Sequence, residues 1–169
     1  MKDKEVLRQE FNRVILENYK MIYHLFFRML KDHDEAKDLT QDTFFKAYKK
    51  YNSFRHESSV STWLYRIAVN TGINYLKRKK YIAERTKGEA AMVNAGTDPG
   101  VSVEFDYSAL TNAISKLSPR QQSVVILRVY QNLPFRQIAN IVGGTENAAK
   151  VNFSHAIKNL RSILKGVKK

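Results

Sequence analysis

The sequence predicts an all-α protein of two small helical domains joined by a flexible linker, and three observations carry that prediction. Glycine and proline are scarce, 7 and 3 among 169 residues, so turns interrupt little of the chain. Apolar residues recur at the helical period through most of its length. Between Gly88 and Asp106 the pattern lapses, because GEAAMVNAGTDPGVSVEFD holds no Lys or Arg while carrying Glu89, Asp98, Glu104 and Asp106. That is the character of an interdomain linker, kept extended by its own charge or serving as a mimic of nucleic acid. The expected division is a first domain over 1–84, a linker over 85–106 and a second domain over 107–169.

Composition narrows the function classes. Cysteine is absent, which excludes disulfides, a thiolate zinc site and a Cys nucleophile and fits a reducing cytoplasm. The start, MKDKEVLRQEFNR, is charged where a secretion signal is apolar, and no apolar run approaches membrane length, so no membrane insertion is expected. A formal charge of +13 points to a polyanionic partner, nucleic acid or an anionic membrane surface.

In chain order, residues from about Lys4 to Lys31 read as two helices with a break near Asn18, with core stripes running from Val6 to Leu30. Asp32, followed by Glu35, signals the start of the next helix, roughly Asp34 to Tyr51. Its expected buried face is Ala36, Leu39, Thr40, Thr43, Phe44, Ala47, Tyr48 and Tyr51; the other gathers Glu35, Asp38 and Asp42, with Gln41 at its edge and Phe45 among them. An aromatic ring amid carboxylates suits a protein-binding anchor, although acids also belong in a first helical turn and Asp42 can pair with Lys46.

A polar loop, Tyr51 to Ser61, carries Phe54, Arg55, His56, Ser58 and Ser59 into the stretch from Ser61 to Lys80, STWLYRIAVNTGINYLKRKK. On a helical wheel this stretch is apolar nearly all round, so it must pack between other helices. One narrow stripe is left: Arg66, Asn70, Asn74 and Lys77, with Trp63 at its upper end. A guanidinium, two amides, an ammonium and an indole in one line suit a nucleic-acid strand; the alternative is that Trp63 is core and the stripe an ordinary polar side.

In the second domain Leu110, Ile114 and Leu117 form a short helix, and Ser118-Pro119-Arg120-Gln121 starts another, with Ser118 as cap, Pro119 at the first position and Gln121 closing a capping box. Arg128 is expected exposed near its end. Leu133-Pro134 then begins a short helix, Gly143-Gly144 makes a tight turn with Gly143 at a positive φ, and Thr145 caps a long helix to about Leu164. This is a helix-turn-helix. The last helix buries Ala149, Phe153, Ala156, Ile157, Leu160, Ile163 and Leu164 and presents Asn147, Lys150, Val151, Ser154, His155 and Lys158 outward, as a groove-reading helix requires. After Leu110 the basic residues face a single acid, Glu146.

Enzyme signatures are missing: there is no P-loop, no nucleophile elbow and no G-x-G-x-x-G, and His24, His33, His56 and His155 lack metal-ligand spacing. No catalytic residue, metal or cofactor is therefore expected. Acids at Asp34, Glu35, Asp38 and Asp42 are read as a solvated face rather than a magnesium site.

The strings DHDEAKDLTQDTFFKAYKKYNSF, STWLYRIAVNTGINYLKRKK and LSPRQQSVVILRVYQNLPFRQIANIVG, in this order before a basic helix, resemble an extracytoplasmic-function sigma factor of bacterial RNA polymerase. The resemblance implies a first domain that binds core polymerase and recognises and melts the −10 element, and a second that recognises the −35 element. Asp38, Gln41, Asp42 and Phe45 would meet the β′ clamp helices, and the β flap would be a further contact of core. Phe54, Arg55, His56, Ser58, Ser59, Trp63, Arg66, Asn70 and Asn74 would open and read the −10 element as single strand, while Arg128, Asn147, Lys150, Val151, Ser154, His155 and Lys158 would meet the −35 duplex. A sequestering anti-sigma partner is implied as well. The chain departs from the family's pattern in the recognition helix, at Pro134 in place of a hydroxyl cap and at Val60 in place of an aromatic. A self-sufficient operator-binding regulator would share the helix-turn-helix but would have no use for Phe45 among acids or for the stripe.

Overall fold

The first helix, α1 (Lys4–Leu30), runs unbroken through the position near Asn18 where the sequence suggests a break, in a computed structural model that describes residues 4–86 and 107–167. Asn18 is buried and satisfied without leaving the helix: its Nδ2 donates to the Val14 carbonyl at 2.8 Å and its Oδ1 accepts from the Ser61 hydroxyl at 3.0 Å. A buried amide so paired is tolerated inside a helix.

Helix α2 (His33–Tyr51) begins where the capping signature places it, since Asp32 Oδ1 accepts from the amides of Asp34 and Glu35 at 2.9 and 2.8 Å. The Glu35 amide first, and the Asp34 amide with it, hold the Asp32 carboxyl below the usual carboxylate range. A lowered folded-state pKa means that this stabilisation is present above the ordinary carboxylate range and is lost as pH falls through the lowered value. Urea midpoints measured against pH should therefore show Asp32→Ala weaker than the parent near neutrality, with the gap closing in acid; a gap of constant size would refute the charge contribution.

Helix α3 (Val60–Thr86) extends past the expected end at Lys80. Leu64, Ala68 and Val69 are fully buried, and with Phe26, Ile22, Leu25 and Met29 of α1 they form the centre of the first unit. Gly72 lets the helices cross closely, because a Cβ there would meet Met29 Cε at 3.0 Å. Two expected core residues of this unit lie at the surface: Val6, near the start of α1, is 45% exposed, and Tyr48 is 40% exposed while its ring stays 5.2 Å from that of Phe11.

The second unit comprises α4 (Tyr107–Ser115), α5 (Pro119–Val129), α6 (Phe135–Val142) and α7 (Glu146–Val167). Ser118 caps α5 through the Gln121 amide, but Gln121 does not close the box: its Oε1 takes a bond from Asn159 of α7 instead. Gln122 holds the turn before α5 by donating to the carbonyls of Ser115 and Leu117. Pro134 leaves α6 without a side-chain cap. Gly143 and Gly144 turn the chain into α7 at φ of 79° and 114°, in the left-handed region that only glycine enters freely, and Thr145 Oγ1 receives the Ala148 amide at 3.1 Å.

The two units pack together. α3 lies against α5 and α6, and α1 against α4 and α5, so the buried side chains of α1 to α3 are continuous with Val124, Ile126, Leu127, Ile138, Ile141 and Val142. A second cluster joins α4 to Val125, Ala156 and Leu160. The stretch read as a linker lies outside the described residues, apart from its first two positions, which end α3.

Candidate nucleic-acid and protein interfaces

The acidic face of α2 is divided by its neighbours. Glu35 is drawn to α3, where Lys79 Nζ reaches its Oε1 at 2.6 Å. Burial first, then the Glu35 carboxylate, pushes the Tyr75 phenol up to about 12. Asp38 and Gln41 remain exposed, Asp42 is paired with Lys46 at 2.7 Å, and Phe45 is 58% exposed with Lys49 Nζ 4.2 Å from its ring centre. Phe45 does not stand alone. With Tyr48 it borders an apolar groove between α1 and α2, floored by Phe11, Ile15, Tyr19 and Phe44. Helical spacing alone places Tyr48 in the core, since its position adjoins the buried arc.

Around the start of α3 the loop and the stripe converge in part. Trp63 is half-buried and stacks on Phe54, ring centres 4.7 Å apart and planes 29° apart. A cleft of about 340 Å³ runs beside this pair, lined by Phe54, Arg55, Ser58, Trp63, Arg66 and also Asn140 of α6. On the other side of Trp63 a groove brings Arg66, Asn70 and Asn74 together with Lys46 and Lys50 of α2. Those two lysines were not assigned by sequence; their four-residue spacing is visible, but the groove exists only once α2 packs on α3. His56 turns away, at a φ of 55°, into a depression shared with Leu7 and Glu10. Ser59 is occupied structurally, its Oγ accepting the Thr62 amide at 3.1 Å as the cap of α3.

On α7, Asn147, Lys150, Val151, Ser154, His155 and Lys158 are all exposed, while Ala149, Ala156 and Leu160 are buried opposite them. Lys150 pairs with Glu146 at 2.9 Å. Arg128 departs from expectation: it is half-buried, donating from Nη1 to the Leu133 carbonyl at 3.0 Å and lying 4.9 Å from the centre of the Phe135 ring. The exposed residue at that end of α5 is Val129, 56% accessible. Among the described residues no three His, Asp or Glu converge as metal ligands, and no helix is long and apolar enough to cross a membrane.

Residues 14–81 match the family model of Sigma-70 region 2, and residues 107–160 that of Sigma-70 region 4. The RNA polymerase sigma factor YlaC of Bacillus subtilis (strain 168) is 36% identical over 149 residues, which cover 86% of this chain and 85% of that protein. The ECF RNA polymerase sigma factor SigW of the same organism is 30% identical over 164 residues, covering 89% and 87%. The chain belongs to the extracytoplasmic-function RNA polymerase sigma factors.

This sigma factor accordingly binds core RNA polymerase and directs promoter-specific transcription initiation. Its region 2 match spans α2 and nearly all of α3, and its region 4 match begins with α4 and takes in the exposed face of α7. Solved structures share the fold. The sigma factor RpoE in complex with the anti-sigma factor NepR, from Bartonella quintana, superposes at a TM-score of 0.75 with 24% identity over 93% of this chain and 98% of that one. CnrH, in complex with the cytosolic domain of CnrY, gives 0.67 with 16% identity over 94% and 90%.

Proposed function

We propose that the sigma factor divides its work among three surfaces. The Phe45–Tyr48 groove, with Asp38, Gln41 and Asp42, meets the β′ clamp helices of core; Trp63, Arg66, Asn70 and Asn74, with Phe54, Arg55 and Ser58 above them, take the −10 element as single strand; and the exposed face of α7 reads the −35 duplex. The observation that carries the reading is the groove in which Arg66, Asn70 and Asn74 line up beside Trp63, flanked by Lys46 and Lys50. It offers cations for the backbone, amides for base edges and one aromatic face. The protein supplies specificity while the polymerase supplies the chemistry, and it acts in the cytoplasm where an anti-sigma partner of the kind seen with its fold relatives could sequester it. An operator-binding regulator would leave the Phe45–Tyr48 groove unexplained.

The experiment is transcription by holoenzyme reconstituted from core polymerase and this chain, on a library randomised in the upstream element. Lys150 can donate to guanine acceptors and Ser154 to several bases, so Lys150→Ala and Ser154→Ala should cost roughly 1 to 3 kcal/mol at particular base pairs and change the preferred sequence. Lys158→Ala, a phosphate-length cation, should weaken all promoters alike and lower the salt slope by about one unit. An unchanged base preference in the first two variants would remove α7 from its role as reader.

A further inference from the structure

From Tyr107 onward the sequence holds one acid, Glu146, among its lysines and arginines. That acid stands in the first turn of α7, on the helix whose exposed face carries Asn147, Lys150, Val151 and Ser154. The helix end does not require it there. Thr145 already supplies the cap, its Oγ1 receiving the Ala148 amide at 3.1 Å, so the carboxylate adds only the weak attraction of an acid for the positive end of a helix. Its side chain turns along the helix instead: Lys150 Nζ lies 2.9 Å from Glu146 Oε1, with the two side chains 54% and 46% exposed. Lys158, two turns further along the same face, has Ser154 where Lys150 has its acid. Toward DNA the pair is unfavourable on charge alone. A carboxylate on a face that approaches phosphates repels them, and it withdraws one cation from the backbone contacts that supply much of the affinity.

We propose that Glu146 is a specificity-determining residue of promoter recognition, a positioning residue that acts through Lys150 by keeping its ammonium on base edges and off the phosphates. A lysine is a point charge on a flexible stem. Left free in the groove, it meets a phosphate as readily as a base, and a phosphate contact carries no sequence information. Glu146 lies one turn toward the helix start, the end that enters the major groove, so it draws the ammonium along the helix axis rather than sideways to the flanking strands. An ammonium has three donors, enough to keep Glu146 and reach the guanine O6 and N7 acceptors together. Swinging to a phosphate, by contrast, strips the carboxylate of its partner and leaves it among like charges. Sequences without those acceptors are therefore disfavoured, and discrimination grows by weakening the wrong complexes rather than by strengthening the right one. The inference rests on the role of α7 as reader of the −35 duplex proposed above.

The test uses holoenzyme reconstituted from core polymerase and the full-length chain, bound at low temperature to a library randomised in the upstream element, at several salt concentrations. Glu146→Gln, which keeps the size and loses the charge, is compared with Lys150→Ala, the double variant and the parent. At the base pair where Lys150→Ala alters the preference, Glu146→Gln should lower that preference by about threefold or more. Binding to unrelated sequences should rise, and its salt dependence should steepen by about one phosphate contact, as the freed ammonium takes the backbone. In the Lys150→Ala background the same change should leave the remaining base preferences as they were, since the two residues act as a unit. Helix stabilisation alone gives a different pattern: it changes binding to all sequences alike and persists without Lys150. An undiminished preference in Glu146→Gln would overturn the proposal, and so would a change of equal size with and without Lys150. If Lys150→Ala itself leaves every base preference intact, the role of α7 as reader fails and the proposal with it. An altered preference in Lys150→Ala with none in Glu146→Gln keeps the reader and removes Glu146 alone.

Discussion

Asp38→Lys and Asp42→Lys combined with Phe45→Ala are expected to abolish binding of core RNA polymerase while the chain unfolds at nearly its normal denaturant midpoint. The two halves of that expectation come from different observations. Phe45 is exposed, and the Lys49 ammonium beside its ring makes a cation–π contact worth about 0.5 to 1 kcal/mol at an exposed site. Asp42 loses an i,i+4 partner in Lys46, worth about 0.3 to 0.5 kcal/mol. Asp38 is exposed. The change in folding stability should therefore stay near about 1 kcal/mol. For binding, an anchoring aromatic at an interface centre is worth about 2 kcal/mol or more, and reversing two charges converts attraction into repulsion; together a loss of about a thousandfold in affinity is the scale to look for. Competition for core against the parent chain, with urea melts on the same samples, measures both. An affinity within a few fold of the parent would show that the face stabilises α2 and does nothing else. Tyr48→Ala extends the test to the groove the structure adds, and because Tyr48 rests on Phe11 its melt must be read before its affinity.

Features written in local chemistry were legible in advance. Asp32 and Ser118 are caps because a short oxygen-bearing side chain at those points meets free amides two or three residues on. The exposed face of α7 follows from helical spacing alone, and the paired glycines announce the turn. What escaped the sequence depends on partners far along the chain. Asn18 looks like a helix breaker by its propensity, yet its partner, Ser61, comes from α3. Arg128 looks exposed by spacing, but the chain returning through Leu133 and Phe135 gives its guanidinium an acceptor and a ring. Lys46 and Lys50 join the stripe only across the α2–α3 contact. The hydrogen bond from Arg66 to the Asn140 carbonyl of α6 has no local signature, since a backbone carbonyl carries no side-chain identity to read.

Arg66→Ala and Asn70→Ala should impair strand opening in holoenzyme and spare the closed complex that precedes it. Both side chains are exposed, so neither change empties a packed space, and effects on function are separable from effects on folding. Trp63→Ala is the less clean variant. Stacking lost from a base costs roughly 1 to 3 kcal/mol, but Trp63 also carries Phe54 and Tyr51 against it, so its removal disturbs the loop as well. For Arg66 a hydrogen bond to a charged group, about 1.5 to 3 kcal/mol, corresponds to a fall in open complex of about ten- to a hundredfold. Permanganate reactivity of unpaired thymines reports opening, and filter retention at low temperature reports the closed complex. The contact between α3 and α6 adds a second expectation peculiar to Arg66. Because the same guanidinium holds the Asn140 carbonyl, Arg66→Ala loosens α6 from α3, so closed binding should hold steady or rise as opening falls. Asn70→Ala, which removes no hydrogen bond to α6, should lower opening alone. A pair of variants that weaken closed binding and leave permanganate reactivity unchanged would make the stripe a contact to duplex phosphate, with Arg66 serving position rather than strand separation.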